Sequence, residues 1–212
     1  MSPRRFDLSS PSRPSRRPPS RAQRARFLVL CEGVVTERGY LDHLRQECRT
    51  LVLDIPQVHG VPLSLVREAV ARKRQAAAEA RRVRDEGGVY DEVWCVFDVD
   101  IHPNIPEAVN QAQANEIHLA VSNPCFELWG LLHFQEQHSY LDRADARARL
   151  QVHLPDYDKR LPCEQMASMY AQARDRAAAL EREHVEGGRP AGENPSSSVW
   201  RLVDAAHAAA EG

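Results

Sequence analysis

The sequence predicts an α/β protein: a parallel sheet with helices on both faces, followed by a helical C-terminal extension. Three observations predict it. Apolar runs of strand length recur at Phe27–Cys31, Val93–Phe97 and Ile117–Val121. Stretches with helical apolar spacing alternate with them, and that alternation makes a parallel sheet the natural way to bury both kinds of surface. Beyond Phe134 the strand signals stop and only helical periodicity remains.

Taken in order, Phe27–Cys31 reads as a buried strand. Thr36 is expected to cap a helix over Glu37–Cys48, with Tyr40, Leu41, Leu44 and Cys48 on one side. A short strand is expected within Leu51–His59, weakened by Pro56, which has no N–H to give a ladder. Pro62 and Ser64 open a long helix that Gly87-Gly88 should stop. Val93–Phe97 is the next strand, and it delivers Asp98. Pro106–Asn115 follows as a short helix, then the strand Ile117–Val121. Asn123 should cap the next helix, with Pro124 at its first position. That helix, CFELWGLLHF, is apolar nearly all round and should be buried. Asp142–Leu150, Met166–His184 and Ser198–Ala210 complete the helices, and EGGRPAGENPSSS reads as a loop.

Composition narrows the class. The chain has 212 residues, 42% hydrophobic and 27% charged, the balance of a soluble globular protein. No apolar run reaches about 20 residues, so no membrane span is expected. The basic N-terminus lacks the apolar stretch of a secretory signal. Five cysteines without a C-x-x-C pair suit a reducing cytoplasm. Net charge is −2, yet the first 26 residues hold eight Arg and one Asp among many Pro and Ser. Residues 1–25 are therefore read as a disordered basic arm able to hold phosphates, 26–134 as the α/β core, and 135–212 as the helical extension.

The candidate chemistry lies in carboxylates. Glu32 follows the first strand, and Asp98 and Asp100 follow the strand Val93–Phe97. In a parallel sheet, ligands bind outside the carboxyl ends of the strands, which is where these acids stand. Asp98 and Asp100, two residues apart, share a face. Adjacent carboxylates repel unless a cation lies between them, and hard oxygen donors suit Mg²⁺ or Mn²⁺. Glu32 could then serve a second ion or act as general acid/base.

The order Glu-Gly, then Asp-x-Asp, within α/β alternation resembles the Toprim fold. A closer resemblance spans Phe27 to Val203. LVLCEGVVTERGYLDHL, VWCVFDVDIH, AVSNPCFELWGLLHF, YDKRL and NPSSSVWRLV are similar to the successive motifs of the RloB-like family. That resemblance implies a bacterial Toprim-type protein of phage defence or abortive infection, encoded beside an AAA-type ATPase. It implies a Mg²⁺-dependent nuclease acting on RNA or DNA, with Glu32 as the Toprim glutamate and Asp98 and Asp100 as the metal-binding pair. Many Toprim proteins carry another acid just after that pair. Here Ile101, His102 and Pro103 stand there, so His102 is either a replacement ligand or a polar loop residue.

Supporting positions each carry a functional and a plainer reading. Glu127, early in the apolar helix, either meets a metal or a partner, or answers the helix dipole. Asn123 is a cap at the rim that could also touch phosphate. Lys159, one of two lysines, could neutralise a phosphate. Gly33 fits the turn beside Glu32. Asn194 and Ser197 repeat the cap-then-helix grammar and are candidate anion contacts. Two rival classes share these residues: a non-catalytic module docking on the ATPase or nucleic acid, and a phosphatase or nucleotidyl transferase.

Overall fold

The computed structural model describes residues 24–84, 86–99, 102, 104–190 and 192–212. The basic arm up to residue 23, Asp100, Ile101 and Pro103 lie outside the described residues. Five strands form one sheet in the order β2-β1-β3-β4-β5. They are β1 (Arg26–Cys31), β2 (Val52–Asp54), β3 (Glu92–Asp98), β4 (His118–Asn123) and β5 (Ser196–Ser197). The first four are parallel, and β5 runs antiparallel to β4.

The period-2 alternation of the strands splits the core into two layers. Leu28 and Leu30 of β1 and Val93, Cys95 and Phe97 of β3 point to one face. There α2 (Pro62–Val83) and α3 (Ile105–Ala114) cover them through Leu65, Val66, Ala69 and Ala108. Phe27, Val29 and Val96 point to the other face. That face is covered by α1 (Thr36–Glu47), α4 (Phe126–Leu132), α7 (Tyr170–Glu186) and α8 (Val199–Glu211). The remaining α-helices are α5 (Arg143–His153) and α6 (Cys163–Ala167).

Helix α4 is the hub of the second layer, as its all-round apolar sequence requires. Trp129 is fully buried and meets Tyr40 of α1 edge-on, with ring centroids 6.2 Å apart, and Tyr170 of α7 at the same distance. The helices beyond residue 134 therefore share one apolar core with α1 and α4. All five cysteines are free thiols. Burial pushes the Cys31 and Cys95 thiols up to about 12, so they serve as small apolar residues.

Several expected boundaries move for identifiable reasons. Strand β2 shrinks to three residues because the chain turns to Pro56, which cannot donate. Val35, not Thr36, is the N-cap of α1; Thr36 is helical and its hydroxyl instead meets the Tyr157 hydroxyl at 3.4 Å. Helix α2 ends before the glycine pair, at Arg84 in the left-handed region, whose N–H donates to Ala80 O. Gly87-Gly88 sit in a separate 3-10 turn. Asn123 is the last residue of β4, paired with Ser196, so Cys125 caps α4 and Pro124 precedes the helix. The expected helix 166–184 is two helices, α6 and α7, joined at Ser168 and Met169. The join carries Tyr170 to the core, where its hydroxyl donates to Asp204 Oδ1 at 2.6 Å. Ser196–Ser197, read as loop, is the strand β5.

Candidate active site

Glu32 leaves the sheet where β1 ends. Its backbone N–H still donates to Val96 O at 3.0 Å, so the ladder holds the acid at the rim. Asp98 is the last residue of β3, one strand away, and only 6% exposed. Glu127 stands in the first turn of α4, the helix that follows β4. Glu37 stands in the first turn of α1, the helix that follows β1, and is 7% exposed. Four carboxylates, two from strand ends and two from helix starts, thus line one cavity of about 550 Å³ at the carboxyl edge of the sheet.

Each acid has a defined setting. Asp98 Oδ2 accepts from Arg143 Nη2 at 3.3 Å, while its Oδ1 is buried without a hydrogen bond among the described residues. Glu32 Oε1 lies 3.1 Å from His102 Nε2, and Glu32 Oε2 is likewise buried without one. The Tyr157 hydroxyl donates to Glu127 Oε1 at 3.0 Å. Glu37 lies against Gly33 so closely that a Cβ on Gly33 would overlap its carboxylate. That close approach is why glycine follows Glu32.

Burial and crowding shift these groups together. Asp98 is pushed up to about 8, first by burial and then by the charge of Glu37, with Arg143 opposing. Glu37 is also raised, by burial first, then by Glu127 and Glu32, against its own backbone hydrogen bond and Arg143. Burial drives the Tyr157 hydroxyl up as well, so it stays protonated and able to donate to Glu127.

This donor set fits a divalent ion of the hard type. It offers carboxylate oxygens, two of them buried without a partner, in a site where burial first and the charge of Glu37 second push Asp98 up to about 8. Mg²⁺ is held by one or two protein carboxylates, keeps several waters and takes its remaining ligands from substrate phosphates. In line with that limited demand, no three acid, imidazole or thiol groups among the described residues stand at ion-binding spacing. Asp98 and Glu37 are the residues that would hold such an ion.

The expected positions divide clearly. Glu32, Gly33, Asp98, Glu127 and Lys159 line the cavity, and His102 contacts Glu32. Asp100 lies outside the described residues. Asn123 donates to Gly192 O at 2.9 Å rather than capping a helix. Asn194 is committed to the backbone of Leu141, accepting from its N–H at 2.9 Å and donating to its C=O at 2.7 Å. Ser197 is buried against the Ser122 hydroxyl. Neither Asn194 nor Ser197 lines the cavity. Sequence reasoning missed Glu37, Arg143 and Tyr157. For Glu37 the signal is Gly33, just ahead of the helix, where the missing side chain leaves room for the Glu37 carboxylate.

The chain matches the family model described as RloB-like protein over residues 27–205. No curated protein and no solved structure matches it.

Proposed function

We propose that this chain, which belongs to the RloB-like family, is a Mg²⁺-dependent nuclease that hydrolyses a phosphodiester in RNA or DNA. One observation carries the reading: Glu32, Glu37, Asp98 and Glu127 converge on a single cavity with two buried, unpartnered acid oxygens. Structural acids are normally paired, so buried acid oxygens left without a partner beside a cavity favour a site for a cation. When bound, the ion supplies polarisation of a phosphoryl oxygen and a nucleophile at neutral pH.

The residues divide the work by their settings. Asp98 and Glu37, deepest in the cavity, hold the ion. Glu32, at the rim and oriented through Oε1 by His102, accepts or returns a proton at Oε2. Tyr157 fixes the Glu127 carboxylate. Lys159 faces the incoming phosphate. The defence role, with an AAA-type ATPase encoded nearby restraining the enzyme in the cytoplasm, rests on the family resemblance alone.

A second reading has its own support. Arg143 already places a positive charge 3.3 Å from Asp98 Oδ2, the oxygen an ion would otherwise neutralise. That pairing favours a non-catalytic module that docks on the ATPase or on nucleic acid. One experiment separates the two. Purified protein is incubated with a pool of tRNA, mRNA and DNA in Mg²⁺, Mn²⁺ or EDTA, beside Glu32→Ala, Glu37→Gln and Asp98→Ala. Metal-dependent cleavage abolished in the variants is the expected result. Absence of cleavage, with the neighbouring ATPase also supplied, overturns it in favour of the docking module.

A further inference from the structure

The acid floor of the cavity faces a basic wall made by the C-terminal extension. Arg143 and Arg147 are one helical turn apart, and both line the cavity from α5. Lys159 joins them from the segment between α5 and α6, where its backbone is left-handed with φ 79°. Arg143 is committed to Asp98. Arg147 and Lys159 are exposed and, among the described residues, have no ion-pair partner. What sets them apart from other exposed basic residues is that both line the cavity that holds the acids.

Two uncommitted cations beside four carboxylates pose a question, because the obvious ion pairs do not form. The poles are separated by depth. Asp98 and Glu37 are sunk at the floor, while Arg147 and Lys159 stand at the exposed wall. A phosphodiester backbone spans that separation: its charge answers the wall, and its inward oxygen is presented to the floor.

We infer that the cavity selects single-stranded nucleic acid, with Arg147 and Lys159 gripping a phosphate next to the one presented to Asp98 and Glu37. The fate of that inner phosphate rests on the nuclease reading. Size supports the selection. About 550 Å³ is in the range of pockets that enclose small ligands, enough for a nucleotide or two and too little for paired strands. The buried floor supports it as well, since the backbone must descend past α5 and the Lys159 segment to reach it. A single strand or a looped-out nucleotide can turn its phosphate inward, whereas a duplex holds its backbone on a broad rod. The mouth carries Val34, 58% exposed, and Val35, an apolar lip against which a base or ribose can rest without sequence readout.

The test is fluorescence anisotropy of the full chain with labelled single strands of about 12 nucleotides, DNA and RNA, a length within known single-strand site sizes. Hairpin duplexes of the same composition are run beside them, in Ca²⁺ to suppress turnover. Single strands are expected to bind at least about tenfold tighter than hairpins. Arg147→Glu and Lys159→Glu should each weaken single-strand binding by about tenfold and lower the salt slope by about 0.7 for each phosphate no longer neutralised. Both side chains are exposed, and an unchanged melting temperature confirms that each variant is folded. Equal or tighter duplex binding, no binding to either, or no effect of both charge reversals overturns the inference. Single-strand binding without cleavage in Mg²⁺ would sink the nuclease reading and leave this one standing. Equal cleavage of single strand and duplex would do the reverse.

Discussion

Replacing Asp98 by Asn should make the metal-free protein more stable at alkaline pH, and the structure sets the size of the gain. Asp98 is raised from an ordinary value of 3.8 to about 8. An acid whose folded value exceeds its unfolded value binds more protons in the folded state between the two. Its stabilising contribution is therefore full below pH 3.8 and lost as pH rises through about 8. At about 1.4 kcal/mol for each tenfold in proton affinity, the ionised acid weakens the fold by on the order of 5 kcal/mol above pH 8. Glu37 shares the proton uptake, and the amide forfeits the ion pair with Arg143, so roughly half of that, about 3 kcal/mol, should return in Asp98→Asn. For a chain of this size the gain corresponds to about 6–12 °C in melting temperature. The assay is a thermal scan in EDTA from pH 5 to 9. Wild type should lose stability across the range while Asp98→Asn stays flatter, the two lying closest near pH 5. Added Mg²⁺ should raise the wild-type midpoint at pH 8 and leave the variant unmoved. A wild-type midpoint that is level from pH 5 to 9, with no gain in the variant, would refute the reasoning.

Other outcomes follow from single interactions. Asn194→Ala strands both the N–H and the C=O of Leu141 and should cost about 2–4 kcal/mol, read as a lower urea midpoint at unchanged slope. Tyr157→Phe removes the donor to Glu127 and should cost about 1–2 kcal/mol, measured the same way; a fall in kcat without a rise in KM would mark its positioning role. Gly33→Ala forces the Glu37 carboxylate aside and should weaken Mn²⁺ binding about tenfold by calorimetry, the scale expected when a metal ligand is no longer held in orientation, while the melting temperature stays near wild type.

How far the sequence could be read follows from the range of each interaction. Glu32 and Asp98 were legible because a buried strand is a local pattern and its carboxyl end is a fixed place in a parallel sheet. The buried helix around Trp129 was legible for the same reason. Glu37 was not, because a first-turn acid is ordinary and only the closeness of Gly33 gives it away. Arg143 and Tyr157 belong to segments that reach the site across 45 and 30 residues, to Asp98 and Glu127 respectively, and nothing local distinguishes them from other arginines and tyrosines. Strand β5 was missed because its two serines pair only with the end of β4, and a two-residue ladder leaves no period to detect. Thr36 and Asn123 failed as caps for a shared reason: tertiary partners claimed side chains whose local propensity pointed elsewhere.

Strand β5 also has a consequence for how the molecule is made. It covers the carboxyl end of the outer edge of β4, and α8, which follows it, packs into the layer on one face of the sheet. Asn194, just before it, holds Leu141 at the entrance to α5, the helix that bears the basic wall. On a ribosome these residues emerge after the other four strands and the acids they carry. Until they do, β4 presents a bare edge open to strand pairing with other chains, and the wall has no anchor above the acids. Sealing the sheet and finishing the site are therefore one event, so a translation product interrupted before Asn194 would be sticky rather than active.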